Sequence, residues 1–178
     1  MRGVPVPGRE EAIRTLDEGH RAVRALVEDL PVDAWVRPGT IGDGDWSAKD
    51  LVAHLTEWDR YALQTLDEWR RGVRPWVEYL FEAGAVDRQN AEAVARERDR
   101  PLPEVREKAE EVHRELLLEL ELLTDEEWRA RAPYPTERRR TLGALLGSVL
   151  GAPRRPFGHA FAHLPDLEAY VRSVGRTT

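Results

Sequence analysis

Cysteine is absent from all 178 residues. That excludes disulfides, zinc ribbons and a protein thiol nucleophile, so any sulfur chemistry must arrive with a thiol co-substrate. Lysine is nearly absent too: Lys49 and Lys108 are the only two among 27 basic residues. The arginine bias points to a GC-rich genome or heat adaptation and says little about function. Long apolar runs are missing, so no transmembrane helix and no membrane partner are expected. An excess of positive charge is also missing. The net charge of −6 and a pI near 5.5 argue against a general nucleic-acid binder, and no nucleic-acid partner is expected. The opening Met1 to Pro7 is too short and Pro-rich for a signal peptide, which makes the cytoplasm the expected location.

Alternation with period two is lacking as well, and helical periodicity fills the space. Ile13, Leu16, His20, Val23 and Val27 form an apolar stripe on a helix predicted from Gly8 to Leu30. The segment from Pro31 to Asp45 is a connector rich in Gly, Pro and Asp. Ser47-Ala48-Lys49-Asp50 is a capping box, with Asp50 in place of the usual Glu. It opens a helix whose seam is Leu51, Leu55, Trp58, Ala62, Leu66 and Trp69 and which Gly72 and Pro75 end. Asp87 to Arg98 is predicted as a short helix. Pro103 opens the next, with Val105, Ala109, Val112, Leu116, Leu120 and Leu123 on one face. Thr124 to Glu127 is a second capping box before Trp128, and Thr141 caps Leu142 to Leu150. The run Glu137-Arg138-Arg139-Arg140 is expected to be a solvated loop. Four main helices with modest loops predict an all-α, mainly antiparallel four-helix bundle forming one domain over residues 1–178.

Chemistry points to the histidines. His159 and His163, at i and i+4, lie on one helix face. With one imidazole from another helix they make a natural three-histidine metal set with open coordination positions. Pro165 follows closely; it has no N–H and clashes with the Phe161 carbonyl, so that helix either is short or bends just after His163. His54 lies about 75° from its helix's seam, at the boundary of core and solvent. Tyr61 shares that flank as a candidate pocket residue, and Glu57 lies further out. His20 falls in an apolar stripe, where core packing outweighs a pocket role. His113 has no partner at helical spacing and is expected to be structural, as are Trp58 and Trp69. The Ala-Phe-Ala between His159 and His163 lacks the Glu of a metalloprotease H-E-x-x-H.

Three segments resemble the DinB-like four-helix-bundle superfamily, which includes YfiT-like hydrolases, bacillithiol transferases and mycothiol-dependent maleylpyruvate isomerases. Trp46-Ser47-Ala48-Lys49-Asp50-Leu51-Val52-Ala53-His54-Leu55 is similar to its W-[ST]-x-x-[DE]-[LV]-x-x-H-[LIV]. Asp87-Arg88-Gln89-Asn90 is similar to its D-x-x-N, and His159 to His163 to its H-x-x-x-H. The resemblance implies a DinB/YfiT-like bundle in which His54, His159 and His163 bind a divalent metal, zinc or nickel. It also implies a thiol transferase or hydrolase acting on a small electrophilic or toxic compound, with a low-molecular-weight thiol as co-substrate. The alternative is a non-catalytic metal- or ligand-binding bundle in stress response or self-protection; a homodimer is a further expectation.

Overall fold

The computed structural model describes residues 6–42, 44–136, 140–152 and 155–175. Met1 to Pro5 and most of the basic run, residues 137–139, lie outside them. Four long helices make the frame: α1 (Arg9–Val27), α3 (Ala48–Arg70), α6 (Leu102–Leu122) and α9 (His159–Val174). Between them lie α2 (Val32–Trp35), α4 (Trp76–Glu82), α5 (Val86–Glu97), α7 (Asp125–Arg129) and α8 (Leu142–Val149). Among the described residues no β-strand forms, only isolated bridges. The all-α four-helix bundle expected from the sequence is the one that forms.

Side-chain contacts give the helix directions. Arg9 on α1 reaches the Glu121 carbonyl at 3.2 Å while Arg24 pairs with Glu110, so α1 and α6 run antiparallel. His54 meets His159, and Gly42, before α3, faces Asp166, so α3 and α9 are antiparallel too. Along α3 and α6 the pairs Glu57–Lys108 and Arg70–Glu119 keep the same order, which makes these two parallel. The long return through α4 and α5 permits that crossover, bringing the chain back to the start of α3.

Local chemistry sets the helix starts. Ser47 Oγ accepts from Asp50 N at 3.2 Å, and Ser47 N donates to Asp50 Oδ2 at 2.9 Å, closing the capping box. Thr124 and Glu127 do the same for α7, and Thr141 caps α8. Helix α9 is not cut short by Pro165; it continues to Val174 with Pro165 inside it. The cost is the missing N–H, which leaves the Phe161 carbonyl without its helical donor.

Two apolar cores share α3. One packs its C-terminal half, with Trp58, Leu66 and Trp69, against Leu116, Leu120, Trp128 and Leu146. The other packs its N-terminal half, with Leu51 and Ala53, against Val27, Trp35, Leu167 and Tyr170. Helix α3 is therefore buried around most of its circumference, not along one seam. Trp58 and Trp69 are core residues, as expected. Among the described residues, no helix is long and apolar enough to cross a membrane.

Candidate metal centre

His54 sits between the two cores, two turns into α3, its position fixed by the Ser47 cap below it. It is only 2% exposed. The sequence placed it at the core boundary; α9 and the Trp46 ring, 4.7 Å away, cover that flank instead. The other two imidazoles come from the first two turns of α9. The segment leading into α9 is closely constrained. Phe157 is buried with φ +60, a left-handed conformation that is costly for a bulky residue. At Gly151 a Cβ would lie 2.2 Å from the Gly147 carbonyl oxygen. The His159 N–H then donates to the Leu150 carbonyl at 3.1 Å. On α1, Gly19 has no Cβ and so admits Ala160, which brings α9 close to the bundle.

The result is convergence. His54 Nε2 and His159 Nε2 are 3.1 Å apart, and His163 Nε2 and His159 Nε2 are 3.3 Å apart. One candidate ligand atom from each ring lies within 4.8 Å of the others. Ligands 2.0–2.1 Å from a tetrahedral ion stand about 3.3 Å from one another, so two of the separations fit a shared cation, and the third pair must close in from within 4.8 Å to join it. Hydrogen bonding alone satisfies the group poorly. Each Nε2 is either one donor or one acceptor, yet His159 Nε2 faces two others. His54 Nδ1 is also buried without a partner. Burial, reinforced by the other two imidazoles, pushes His54 down to about 2. Burial, then His163, pushes His159 down to about 3. Burial lowers His163 too, opposed by the Asp166 carboxylate. The rings are thus kept neutral, the form that ligates a metal. Trp58 stands edge-on to both His54 and His159 and helps keep the centre dry. Its Nε1 donates to Asn90 Oδ1 at 3.0 Å, so the Asp87-x-x-Asn90 segment braces the wall of the site.

Of the candidate pocket residues, His20 lines a cavity of about 310 Å³ that His159 also lines; Tyr61 and Glu57 do not. Tyr61 is a core residue whose hydroxyl accepts from Gln89 at 2.7 Å. Glu57 is buried, not solvated, and binds Lys108 at 3.1 Å and Arg60 at 3.1 Å. His113 is not partnerless. Its ring stacks on His20 with centroids 3.9 Å apart, and its Nδ1 lies 2.9 Å from Asp59 Oδ2. Helical spacing had no means of showing either contact, because the partners belong to other helices.

The family model described as the DinB superfamily matches residues 7–151. The chain belongs to the DinB superfamily. No curated protein matches it. Solved structures share this fold, two of them over nearly the whole chain. One is an uncharacterised protein from Escherichia coli UTI89, with TM-score 0.77 and 14% identity over 97% of this chain and 96% of that one. The other is the colibactin self-resistance protein ClbS in complex with a dsDNA, with TM-score 0.62 and 14% identity over 98% of this chain and 96% of that one. The second corrects the expectation of no nucleic-acid partner: a protein of this DinB fold is held on duplex DNA. An acidic overall balance is therefore no ground for excluding one, because net charge averages over a surface on which a local basic patch can meet phosphates.

Proposed function

We propose that His54, His159 and His163 hold a divalent metal, zinc or nickel, in one domain spanning residues 1–178. We further propose that the centre serves thiol transfer to, or hydrolysis of, a small electrophilic compound in the cytoplasm. The observation that carries this reading is the pair of Nε2 separations, 3.1 and 3.3 Å, among one buried and two half-buried rings that burial keeps neutral. A metal with three imidazole ligands supplies Lewis acidity and a lowered pKa for a bound water or thiol. The chain's own residues do the rest. Trp46 and Trp58 exclude water from His54 and His159. His159 joins the centre to the 310 Å³ cavity, where a substrate is received. With no cysteine in the chain, the transferred thiol is a co-substrate.

Elemental analysis of the purified protein should find about one zinc or nickel per chain. His163→Ala should lose it with helix content unchanged, since alanine favours helix and neither core includes that ring. Turnover of electrophile and ester panels should then require the metal, and an added thiol if the reaction is transfer. Metal-free protein as active as the loaded form would end this reading. A loaded protein inert across both panels would favour the second one, a non-catalytic bundle that sequesters its ligand. The fold shared with a self-resistance protein supports that second reading.

A further inference from the structure

The 310 Å³ cavity that His159 lines also carries charge that nothing in the proposed chemistry uses. Asp59, Glu110, Glu28 and Glu107 line it, against Arg24 and Arg106. Arg24 already pairs with Glu110 at 3.6 Å, and Arg106 lies over the Trp35 ring at 5.6 Å. The side chain of Asp59 is 16% exposed, and its hydrogen bond goes to an imidazole, His113, not to a fixed cation. His113 is 6% exposed, and its Nε2 is buried with no hydrogen-bond partner. The His20 ring, stacked on it and 3.4 Å from Glu110, is kept neutral by burial and by His113, against the pull of Glu110 and Asp59. The lining thus sets four carboxylates against two guanidinium groups. Most of the remaining lining is apolar, with Leu16, Val23, Val52, Leu55 and Phe157 among it.

We infer that this cavity binds a small lipophilic amine, its apolar body against the aliphatic lining and its ammonium group directed to Asp59 and Glu110. An ammonium meets both demands at once: it carries positive charge and donates N–H bonds. An alcohol meets only the second, and a carboxylate meets neither. The inference rests on the functional reading only for what becomes of the amine once bound. Recognition stands on the acidic wall and not on the metal.

The test is a calorimetric titration of chelator-treated protein at pH 7.5 with three probes of one shape: 1-naphthylmethylamine, 1-naphthalenemethanol and 1-naphthoate. The amine should bind about tenfold tighter than the alcohol, a difference of about 1.4 kcal/mol, and the carboxylate should bind weakest. Asp59→Asn should bring the amine to the affinity of the alcohol while alcohol binding persists. Glu110→Gln should weaken the amine by a smaller factor, and it gives a second reading if the Asp59 variant fails to fold. Naphthoate binding as well as the amine, an amine preference unchanged in both variants, or no binding of any probe at millimolar concentration overturns the inference. Because the metal is removed, failure here leaves the metal reading standing, and loss of the metal reading leaves this result intact.

Discussion

At the scale of single residues, the centre is three imidazoles made neutral by their surroundings, and this sets a pH dependence. An unfolded histidine takes its proton near pH 6.5. In the metal-free fold His54 is held down to about 2 and His159 to about 3, both mainly by burial. Below pH 6.5 the unfolded chain therefore binds more protons than the fold. The stability is fully present above 6.5 and is lost as pH falls toward the folded values. Metal-free protein should show a thermal midpoint that is level between pH 8 and 7 and falls steadily below about 6.5. The limit is about 1.4 kcal/mol per pH unit for a fully buried ring, and less for the partly exposed His159 and His163. His54→Phe should flatten the fall. A level midpoint down to pH 5 would show that the rings charge without cost. These three residues were legible because their motifs stand in family order. The burial of Glu57 was not, because a helical wheel shows one helix and not the Lys108 that lies against it.

At the scale of elements, helix starts were legible where the cap is a side chain. Ser47, Thr124 and Thr141 each accept from the backbone N–H three residues on. The short helices α2 and α4 were missed because Pro31 and Pro75 cap them without a side-chain bond, inside stretches rich in turn residues. Packing between elements hides from sequence in a different way. Gly143 of α8 lies flat against the Trp128 indole of α7, where a Cβ would fall 2.5 Å from the ring. Alanine gains about 1 kcal/mol over glycine in helix propensity. Displacing a buried tryptophan costs more, so Gly143→Ala should destabilise by about 1–3 kcal/mol in urea unfolding. Gly44→Ala, with nothing within 4 Å of its Cβ, is the control and should differ little. A stabilised Gly143→Ala would show that α7 yields freely.

At the scale of the whole molecule, the two cores are joined by polar ties that cross helices. Lys108 of α6 binds Glu57 of α3 at 3.1 Å and Glu97 of α5 at 3.0 Å. Both carboxylates are nearly buried, while the Lys108 side chain is 29% exposed. Removing the ammonium leaves two buried negative charges facing each other. Lys108→Met should destabilise by about 1–3 kcal/mol, below the range for a fully buried pair because solvent and the nearby arginines screen the loss. Chemical denaturation measures it, and an unchanged midpoint would show that Arg60 and Arg100 suffice. The bundle class followed from four amphipathic stripes. The parallel pairing of α3 with α6 did not, because periodicity reports which face is buried and not which way a neighbour runs. The family match itself ends at residue 151, before the histidine pair.

That spacing has a consequence in time. His54 and His159 are 105 positions apart. At the usual pace of synthesis, about 5–20 residues per second, His54 leaves the ribosome roughly 5–20 s before its first partner exists. During that interval the metal proposed for this site would meet a lone imidazole, and only the docking of α9 would make a chelate. The three-imidazole cluster therefore waits for α9 to be made.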